Sequence, residues 1–431
     1  MWVRMRFDIA WSDLACGIRS VCLPWDPATL QQQICRHWSA PEEMLPCLSV
    51  RSGFDLLWAA LGLAPGSEVL MSALTIPDMA RIAEHHGLVA VPVDLDVEHM
   101  APNLEVLQRA ITPATRALLV AHLFGTRVPM EPIMKVARQH GLLVIEDCAQ
   151  AFVGRDYEGH PDADAAMFSF GPIKTATALG GAVLRVRDPD VLRRMRARQA
   201  TYPMQDRGAY LRRLLKYSTL KAASSRPLCD GILSLCRAAE LDHDHMINGA
   251  TRGFAGPHFF ERIRRQPSGP LLVVLERRLR TFDPRQIAER AARGDFLVSL
   301  LPRGLKRPGG EAQENTHWVF PILVDQPRRV IASLGKAGFD ATQGGSLRVI
   351  APPADRPELD PRAVRDAAAK TVFLPLCPQM PIRSVRRMAR VLWQLQGEPA
   401  RRPALAPSPA VRRRLRRGRS RLVFQQGAAQ G

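Results

Sequence analysis

The chain has 431 residues, 46% of them hydrophobic, and its 60 Lys and Arg residues outnumber 41 Asp and Glu residues to give a formal net charge of +19. This length predicts two or three domains with large apolar cores. The eight cysteines show neither a CxxC pair nor a zinc spacing, which argues against a disulfide framework and favours reduced thiols in a cytoplasmic protein. No apolar run reaches about 18 residues, and charged residues interrupt the N-terminus, so we expect neither a transmembrane span nor a signal peptide.

The first part of the chain predicts an N-terminal segment and the start of a large domain. Residues 1–46 contain a helix-like stretch from about Pro27 to His37, which we expect to pack on the main domain or on a partner. The large domain, residues 47–200, begins with a strand-like lead, Leu48 to Val50, and continues through the turn Arg51 to Asp55 into a helix. Exposed amides at such a helix N-terminus suit a phosphate. An ordinary strand-to-helix turn would give the same pattern.

Strand-like and helix-like segments alternate through the rest of the large domain. The predicted strands are Glu68 to Ala73, Leu88 to Val93, Ala117 to His122 and Leu142 to Ile145, and the predicted helices are Pro77 to His86, Leu104 to Ile111 and Glu131 to His140. This βα rhythm predicts an α/β fold in which helices wrap a mostly parallel sheet.

The stretch from Gly141 to Gly181 carries the predicted chemistry. Its first strand ends in Glu146 and Asp147, and the carboxyl ends of parallel strands are where ligands bind. A second short strand delivers Ser169 and then Lys174, just before a Gly-Gly turn. An acid and a lysine so placed are what pyridoxal phosphate (PLP) requires, the acid to keep the ring nitrogen protonated and the lysine to form the Schiff base. The spacing alone is also compatible with a solvated acid and a surface lysine.

The residue identities in this stretch are more informative about function than the spacing of the acid and the lysine. The string VIEDCAQAF, followed by FSFGPIK and a Gly-Gly-Ala-Val turn, resembles the DegT/DnrJ/StrS family of aminotransferases. The resemblance spans about residues 48–200 and implies a fold-type I architecture, with a mostly parallel sheet in the large domain, a smaller α+β C-terminal domain, and a homodimer. It implies PLP as the cofactor, with Lys174 as the Schiff-base lysine and Asp147 as the partner of the ring nitrogen.

The resemblance also implies a set of cofactor contacts. These are Ser52, Gly53, Phe54 and Asp55 in the phosphate turn, together with Asp147, Gln150, Ser169 and Lys174. Ser52 and Gly53 match the family pattern, whereas Phe54 and Asp55 depart from it, and we expect Asp55 to point away or to cap the helix. Gln150 would either contact the cofactor or satisfy a loop backbone.

The chain departs from the family pattern near the substrate. Thr75-Ile76-Pro77 stands where family members place an aromatic residue that stacks on the cofactor, so this stacking is lost or supplied elsewhere. Thr175 replaces the Asn that usually follows the lysine, and the glycine turn comes two residues early. Residues 341–346 replace the His-Tyr pair that often contacts the substrate. Lys174 favours transamination over the dehydration performed by family members that have His there.

The C-terminal half divides into three predicted parts. A basic helical insert spans residues 201–282, a small domain spans residues 283–397, and a tail spans residues 398–431. In the insert, the stretch Tyr210 to Ser225 has an apolar stripe that would rest on an acidic membrane, on a dimer partner or on its own domain. Asp242 to His245 looks metal-like, but we expect a polar loop and no metal site.

The tail has an unusual composition. From Arg401 onward there are nine arginines and no acid among many Pro and Ala residues, which predicts a disordered segment. This tail would either contact an anionic membrane surface weakly or stay solvated, and we do not expect nucleic acid as a partner.

The small domain is predicted to contain helices at 283–300, 327–337 and 382–396 and strands at 318–324 and 372–376.

The sequence therefore predicts a PLP-dependent aminotransferase. It would move an amino group from an amino acid, usually glutamate in this family, to a keto sugar that is nucleotide-linked in many family members. The alternative is a non-catalytic descendant of the family that binds a partner through its basic surface. Loss of the stacking aromatic residue and Asp55 in the phosphate turn motivate that alternative, whereas Asp147 and Lys174 argue against it.

Overall fold

The computed structural model describes residues 1–2, 7–223, 254 and 257–396. Its strands are β1 (Met44–Cys47), β2 (Glu68–Ser72), β3 (Leu74–Thr75), β4 (Val89–Val93), β5 (Leu95–Asp96), β6 (Ala101–Pro102), β7 (Thr115–Ala121), β8 (Leu143–Asp147), β9 (Ala165–Ser169), β10 (Ala182–Val186), β11 (Phe320–Leu323), β12 (Arg348–Val349) and β13 (Thr371–Leu374). Its helices are α1 (Trp11–Val21), α2 (Pro27–Cys35), α3 (Val50–Leu61), α4 (Pro77–His85), α5 (Leu104–Ala110), α6 (Met130–Gln139), α7 (Pro189–Ala200), α8 (Arg207–Ala223), α9 (Phe259–Ile263), α10 (Gly269–Arg280), α11 (Arg285–Val298), α12 (Pro327–Lys336), α13 (Arg362–Lys370) and α14 (Ile382–Leu395).

A seven-stranded sheet forms the centre of the large domain, in the order β1-β10-β9-β8-β7-β2-β4. The pairs from β9 to β4 are parallel, and only β10 runs against its neighbours β1 and β9. The predicted α/β fold with a mostly parallel sheet is confirmed. Because consecutive parallel strands need a crossover, the helices between them are placed on the two faces of the sheet.

Both faces of the sheet are covered, which explains why its strands read as almost continuous apolar runs. Side chains alternate along β7, so that Leu119 joins the core under α3, α4 and α7. Its neighbours Leu118 and Val120 join the core under α5 and α6. At the other end of that second face, α1, α2, α8 and α10 cover Phe168 and Val183.

The helix predicted from Tyr210 packs within its own domain. In α8, Tyr210, Leu214 and Tyr217 are buried, and the helix contacts α1 and α10. Of the three surfaces considered for its apolar stripe, the chain's own core is therefore the one it covers in the structure. The basic residues of α8 lie beside this stripe and face a cavity described below.

The small domain is built on the antiparallel pair β11–β13. Helices α11, α12 and α14 cover this pair and share one apolar core that includes Leu297, Phe320 and Met388. The predicted small-domain helices and strands lie within a few residues of the observed ones. The predicted limits of the domains stay predictions.

Two local predictions need correction. The strand predicted at Leu48 to Val50 is instead Met44–Cys47, and α3 already begins at Val50 because the Ser49 hydroxyl caps the helix by accepting a hydrogen bond from the Ser52 N–H at 3.2 Å. The Gly-Gly-Ala-Val segment is not only a turn, since its last two residues open β10. Among the described residues, no helix has the length and apolarity needed to cross a bilayer. The predicted loop at Asp242 to His245 and the tail at 398–431 lie outside the described residues.

Candidate active site

A cavity of about 1970 Å³ opens at the carboxyl ends of the parallel strands, between the large and small domains. Four of the residues predicted to form the site lie on its wall, namely Asp147, Gln150, Ser169 and Lys174. Ligands of open α/β sheets bind at this edge because the helix N-termini and the loops that follow the strands converge there. The residues predicted to be catalytic are therefore brought together.

Lys174 lies in the loop that follows β9. Its backbone N–H donates to the Gly171 carbonyl at 3.0 Å, and its side chain is half-buried with Nζ 4.7 Å from the centre of the Trp318 ring. The pKa of Lys174 is lowered to about 8, chiefly by burial; the Asp147 carboxylate opposes this shift and the charge of Arg51 adds to it. An amine with such a pKa is neutral often enough near neutral pH to act as a nucleophile or a base.

Asp147 is the last residue of β8 and lies between Ala121 of β7 and Met167 of β9. Its Oδ1 accepts a hydrogen bond from the Ala149 N–H at 2.9 Å, which fixes the carboxylate at the cavity wall. The central position in a parallel sheet gives this side chain little freedom to move. It can therefore hold a fixed negative charge against a ligand in the cavity.

The preceding residue, Glu146, points to the opposite face because side chains alternate along a strand. It is buried and accepts hydrogen bonds from His122 at 2.9 Å, from the Tyr157 hydroxyl and from the His160 N–H at 2.6 Å. Although burial opposes it, this bonding holds the pKa of Glu146 below its ordinary value. Because side chains alternate along the strand, Glu146 points into the core and Asp147 points into the cavity.

Close to this pair, the side chains of His122, Glu146 and Cys148 lie near enough to share a metal ion. Their bonds argue for a structural role instead. The Nδ1 atom of His122 accepts from the Val128 N–H at 3.0 Å, which leaves Nε2 to donate to Glu146. Burial raises the pKa of the Cys148 thiol well above its usual range, so a thiolate ligand is disfavoured there.

The turn that is predicted to hold the phosphate forms the start of α3. The residues of this turn that line the cavity are Ser49, Val50 and Arg51. The Ser52 hydroxyl is buried and lies 2.9 Å from the Ser49 hydroxyl. Gly53 faces β10, where a Cβ would overlap the Leu184 side chain. Neither Ser52 nor Gly53 is part of the cavity wall, although both shape the start of α3.

The side chains of Phe54 and Asp55 also lie away from the cavity. Phe54 is fully buried and packs edge-on against Trp58, with ring centres 5.1 Å apart. Asp55 is fully buried and accepts hydrogen bonds from Arg264 at 2.8 and 2.9 Å and contacts His86 at 3.0 Å. These partners lower the pKa of Asp55 to about 2 in spite of burial. Asp55 thus contributes a structural ion pair on the far side of α3.

Gln150 and Ser169 both line the cavity. The side-chain oxygen of Gln150 accepts a hydrogen bond from the Phe124 N–H at 2.8 Å. That bond satisfies a loop backbone, one of the two roles considered for this residue, and leaves its amide nitrogen for a ligand. Ser169 ends β9 opposite Ala182, with its half-buried side chain beside the Lys174 loop.

Two residues of the small-domain half were not predicted as site residues. Trp318 lines the cavity beside Lys174, and the stretch Thr75-Ile76-Pro77, where the resemblance implied a stacking aromatic residue, lines it too. Arg290 of α11 also lines the cavity and donates to the Thr316 carbonyl at 2.9 Å and the Thr175 hydroxyl at 3.2 Å. Burial lowers the pKa of Arg290 to about 10. Neither residue sits in a local motif, so only the fold brings them to the site.

A basic wall completes the cavity. It consists of Arg212, Arg213 and Lys216 of α8. The guanidinium of Arg213 also donates to the Leu179 carbonyl in the lysine loop at 3.2 Å. The sequence shows the alternation of basic and apolar residues in α8. It does not show that the basic residues face this cavity.

The residues on the wall fit PLP. A half-buried amine with a lowered pKa and a fixed carboxylate face one cavity, as the aldehyde and the ring nitrogen of PLP require. The N-terminus of α3 opens on the same cavity with Ser49 and Arg51, where an anionic group such as the PLP phosphate is favoured. The wall therefore offers one group for each reactive part of the cofactor.

Known proteins resemble this chain in part of its sequence and in its fold. The GDP-perosamine synthase of Caulobacter vibrioides is 36% identical over 155 residues, which cover 35% of this chain and 42% of that protein. The chain thus matches less than half the length of this curated relative. The crystal structure of 3-amino-5-hydroxybenzoic acid synthase is similar over 92% of this chain and 99% of that one, with a TM-score of 0.64 at 18% identity. A Bacillus subtilis protein, NtdA, whose structure is described with the cofactor PMP bound, gives 0.64 at 17% identity over 90% of this chain and 83% of its own.

Because these structural neighbours share only 18% and 17% identity with the chain, they establish its fold and nothing more. The fold is that of aminotransferases. The sequence match is more specific, because residues 32–218 match the DegT/DnrJ/EryC1/StrS aminotransferase family. That span includes Asp147 and Lys174, the two residues singled out from the local motif. Through residues 32–218, the chain is thus similar to the DegT/DnrJ/EryC1/StrS aminotransferase family.

Proposed function

We propose that this protein is a PLP-dependent aminotransferase that transfers an amino group from an amino acid, glutamate in the first instance, to a keto sugar. The observation that carries the proposal is the pair formed by the Lys174 amine and the Asp147 carboxylate in one cavity at the strand ends. The name of the curated relative, a GDP-perosamine synthase, supports an amino-sugar product.

When bound, PLP would supply an electron sink for bond breaking at the α-carbon of the amino acid. Lys174 would hold the cofactor covalently through Nζ and, once displaced by the amino donor, would carry a proton to and from the reacting carbon. Its lowered pKa favours the neutral amine that both roles need. The negatively charged carboxylate of Asp147 would face the ring nitrogen of PLP and keep that nitrogen protonated.

The remaining walls would position the ligands. Ser49, Arg51 and Ser169 line the cavity and would hold the cofactor phosphate, and the Trp318 ring would exclude water above the Lys174 amine. The basic wall of Arg212, Arg213 and Lys216, defined above, suits an anionic acceptor. A nucleotide-linked keto sugar carries the phosphates that such a wall would attract.

The first experiment adds PLP to the purified protein. We expect a yellow protein whose visible absorbance disappears on addition of an amino donor. Borohydride reduction should fix the cofactor to the peptide that contains Lys174. The matched control is Lys216, an exposed lysine of the same cavity: Lys216→Ala should still be labelled, whereas Lys174→Ala should not. A colourless protein that ignores PLP would refute the proposal and favour the non-catalytic alternative.

A screen of amino donors and keto acceptors would then identify the substrates. Keto sugars with and without a linked nucleotide should be compared, because only the former would engage the basic wall. We keep a homodimer as part of the proposal, to be checked by sedimentation of the holoenzyme.

A further inference from the structure

The N-terminus of the chain reaches both domains. The Trp2 N–H donates to the Gly338 carbonyl at 2.8 Å, and the Asp340 N–H donates to the Trp2 carbonyl at 2.9 Å, so the first residues are bonded to the small domain. A few residues later, Phe7 and Asp8 line the active-site cavity. The sequence assigned no chemistry to this segment.

The carboxylate of Asp8 bonds to the lysine loop. Its Oδ2 accepts a hydrogen bond from the Ala176 N–H at 2.6 Å, two residues beyond Lys174. Its Oδ1 accepts from the Arg278 guanidinium at 3.0 Å, and the same guanidinium donates to the Asp8 carbonyl at 2.7 Å. Arg278 belongs to α10 and is itself held by Asp13 at 2.9 Å. Asp8 therefore links the loop to a well-packed helix.

The loop needs such a link because its backbone is strained. Ala176 has a φ of +53°, in the left-handed region that is unfavourable for a residue with a side chain. On one side of it, the Thr175 hydroxyl accepts from Arg290 at 3.2 Å. On the other, the Thr177 hydroxyl donates to the Gly171 carbonyl at 2.6 Å. The Asp8 carboxylate is the charged acceptor that holds the middle of this strained turn.

We propose that Asp8 is a positioning residue for Lys174: its carboxylate holds the Ala176 N–H and thereby fixes the loop that presents the Lys174 amine to the cavity. Asp8 does not touch the reacting atoms in this scheme. Its role in turnover rests on the proposed function, whereas its effect on the loop can be measured without cofactor or substrate.

The first test is amide hydrogen exchange in the protein without cofactor. Asp8→Ala should speed exchange of the Ala176 amide by about 10-fold or more, because a hydrogen bond to a charged acceptor is lost. The control is Arg277→Gln. Arg277 bonds Asp13 at 2.8 Å in the same cluster of charges, and none of the hydrogen bonds described for it reaches Asp8 or the lysine loop. It should leave the Ala176 amide protected.

The second test separates kcat from KM in the holoenzyme. Asp8→Ala should lower kcat by about 10- to 100-fold through misplacement of the lysine, while KM for the amino donor changes by less than about 3-fold. Asp8→Asn should recover part of kcat, because its amide oxygen can still accept from Ala176. It also keeps the test valid if the alanine variant fails to fold. Arg277→Gln should retain the wild-type kcat.

Either of two results would overturn the proposal. One is wild-type exchange and wild-type kcat in Asp8→Ala. The other is an equal loss of both in Arg277→Gln, which would assign the effect to the whole cluster. If the wild-type protein shows no PLP-dependent turnover, the proposed function fails, and the exchange of the Ala176 amide still decides the role of Asp8.

Discussion

Replacing Lys174 by methionine should stabilise the protein that contains no cofactor. The ordinary pKa of 10.5 falls to about 8 in the folded chain, chiefly because the amine is half-buried. Methionine has a similar length and no charge to bury. The folded state of Lys174→Met is therefore relieved of a desolvation cost that the wild-type protein bears.

The size of the gain follows from the two pKa values. They differ by about 2.5, and at about 1.36 kcal/mol per pKa unit this corresponds to roughly 3 kcal/mol. Since solvent still reaches part of the Lys174 side chain, we expect about 1 to 3 kcal/mol. Below pH 8 both states carry the proton and the full cost is present. Between pH 8 and 10.5 the folded state releases its proton first, so the cost fades as pH rises.

The measurement is the free energy of unfolding by urea, for wild type and Lys174→Met, at pH 7 and pH 9.5. We expect a clear gain for the variant at pH 7 and a smaller one at pH 9.5. The exposed Lys216 supplies the control, since Lys216→Met should stay within about 0.5 kcal/mol of wild type at both pH values. A gain that is absent, or that does not shrink with pH, would show that the Lys174 amine is not desolvated in the folded protein.

Four further outcomes are expected. Asp147→Asn should leave the fold intact but lower kcat by about 100-fold or more, because a neutral amide cannot keep a ring nitrogen protonated; near wild-type turnover would exclude that role. Asp55→Ala should cost about 3 kcal/mol of unfolding free energy by leaving Arg264 unpaired, and wild-type Asp55 should lose its contribution as pH falls from 3.8 toward about 2 in acid titration. Trp318→Ala should lower kcat more than Trp318→Phe does, and equal rates would remove the ring from the site. Truncation after Gly397 should spare turnover and abolish salt-sensitive sedimentation with acidic vesicles, which tests the proposed membrane contact of the tail.

Most of the large-domain fold could be predicted because its signals are local. The strand at Glu68–Ser72 and the helix at Pro77–His85 lie within one residue of their predicted limits. Apolar runs for strands, and capping or proline residues at helix starts, act within a few positions of the chain. The error at Leu48 to Val50 has the same origin, because the Ser49 cap was not recognised and the apolar residue after it was read as strand.

The site could be predicted only where its residues share one motif. Asp147 and Lys174 follow consecutive strands that are neighbours in the sheet, so their meeting follows from topology. The partners of Asp55 could not be foreseen, because Arg264 lies 209 positions away in the chain. Asp8 is similarly remote from Ala176, at a separation of 168 residues. Such contacts depend on how helices pack, which no local pattern specifies.

Two different parts of the chain form the wall of the cavity. Asp147 and Ser169 end two strands of the sheet and Lys174 lies in the loop after β9, all inside the 32–218 segment that carries the family match. Trp318 and Arg290 reach the cavity from the C-terminal part, outside that segment, where the likeness to solved structures is one of fold. The residues proposed to carry the chemistry thus lie within the matched segment, and the small domain adds wall residues from outside it. The small domain is also bonded to Trp2, and Asp8, a few positions later in the chain, holds the lysine loop. Both the C-terminal part of the cavity wall and the position of the Lys174 loop therefore depend on contacts from outside the matched segment.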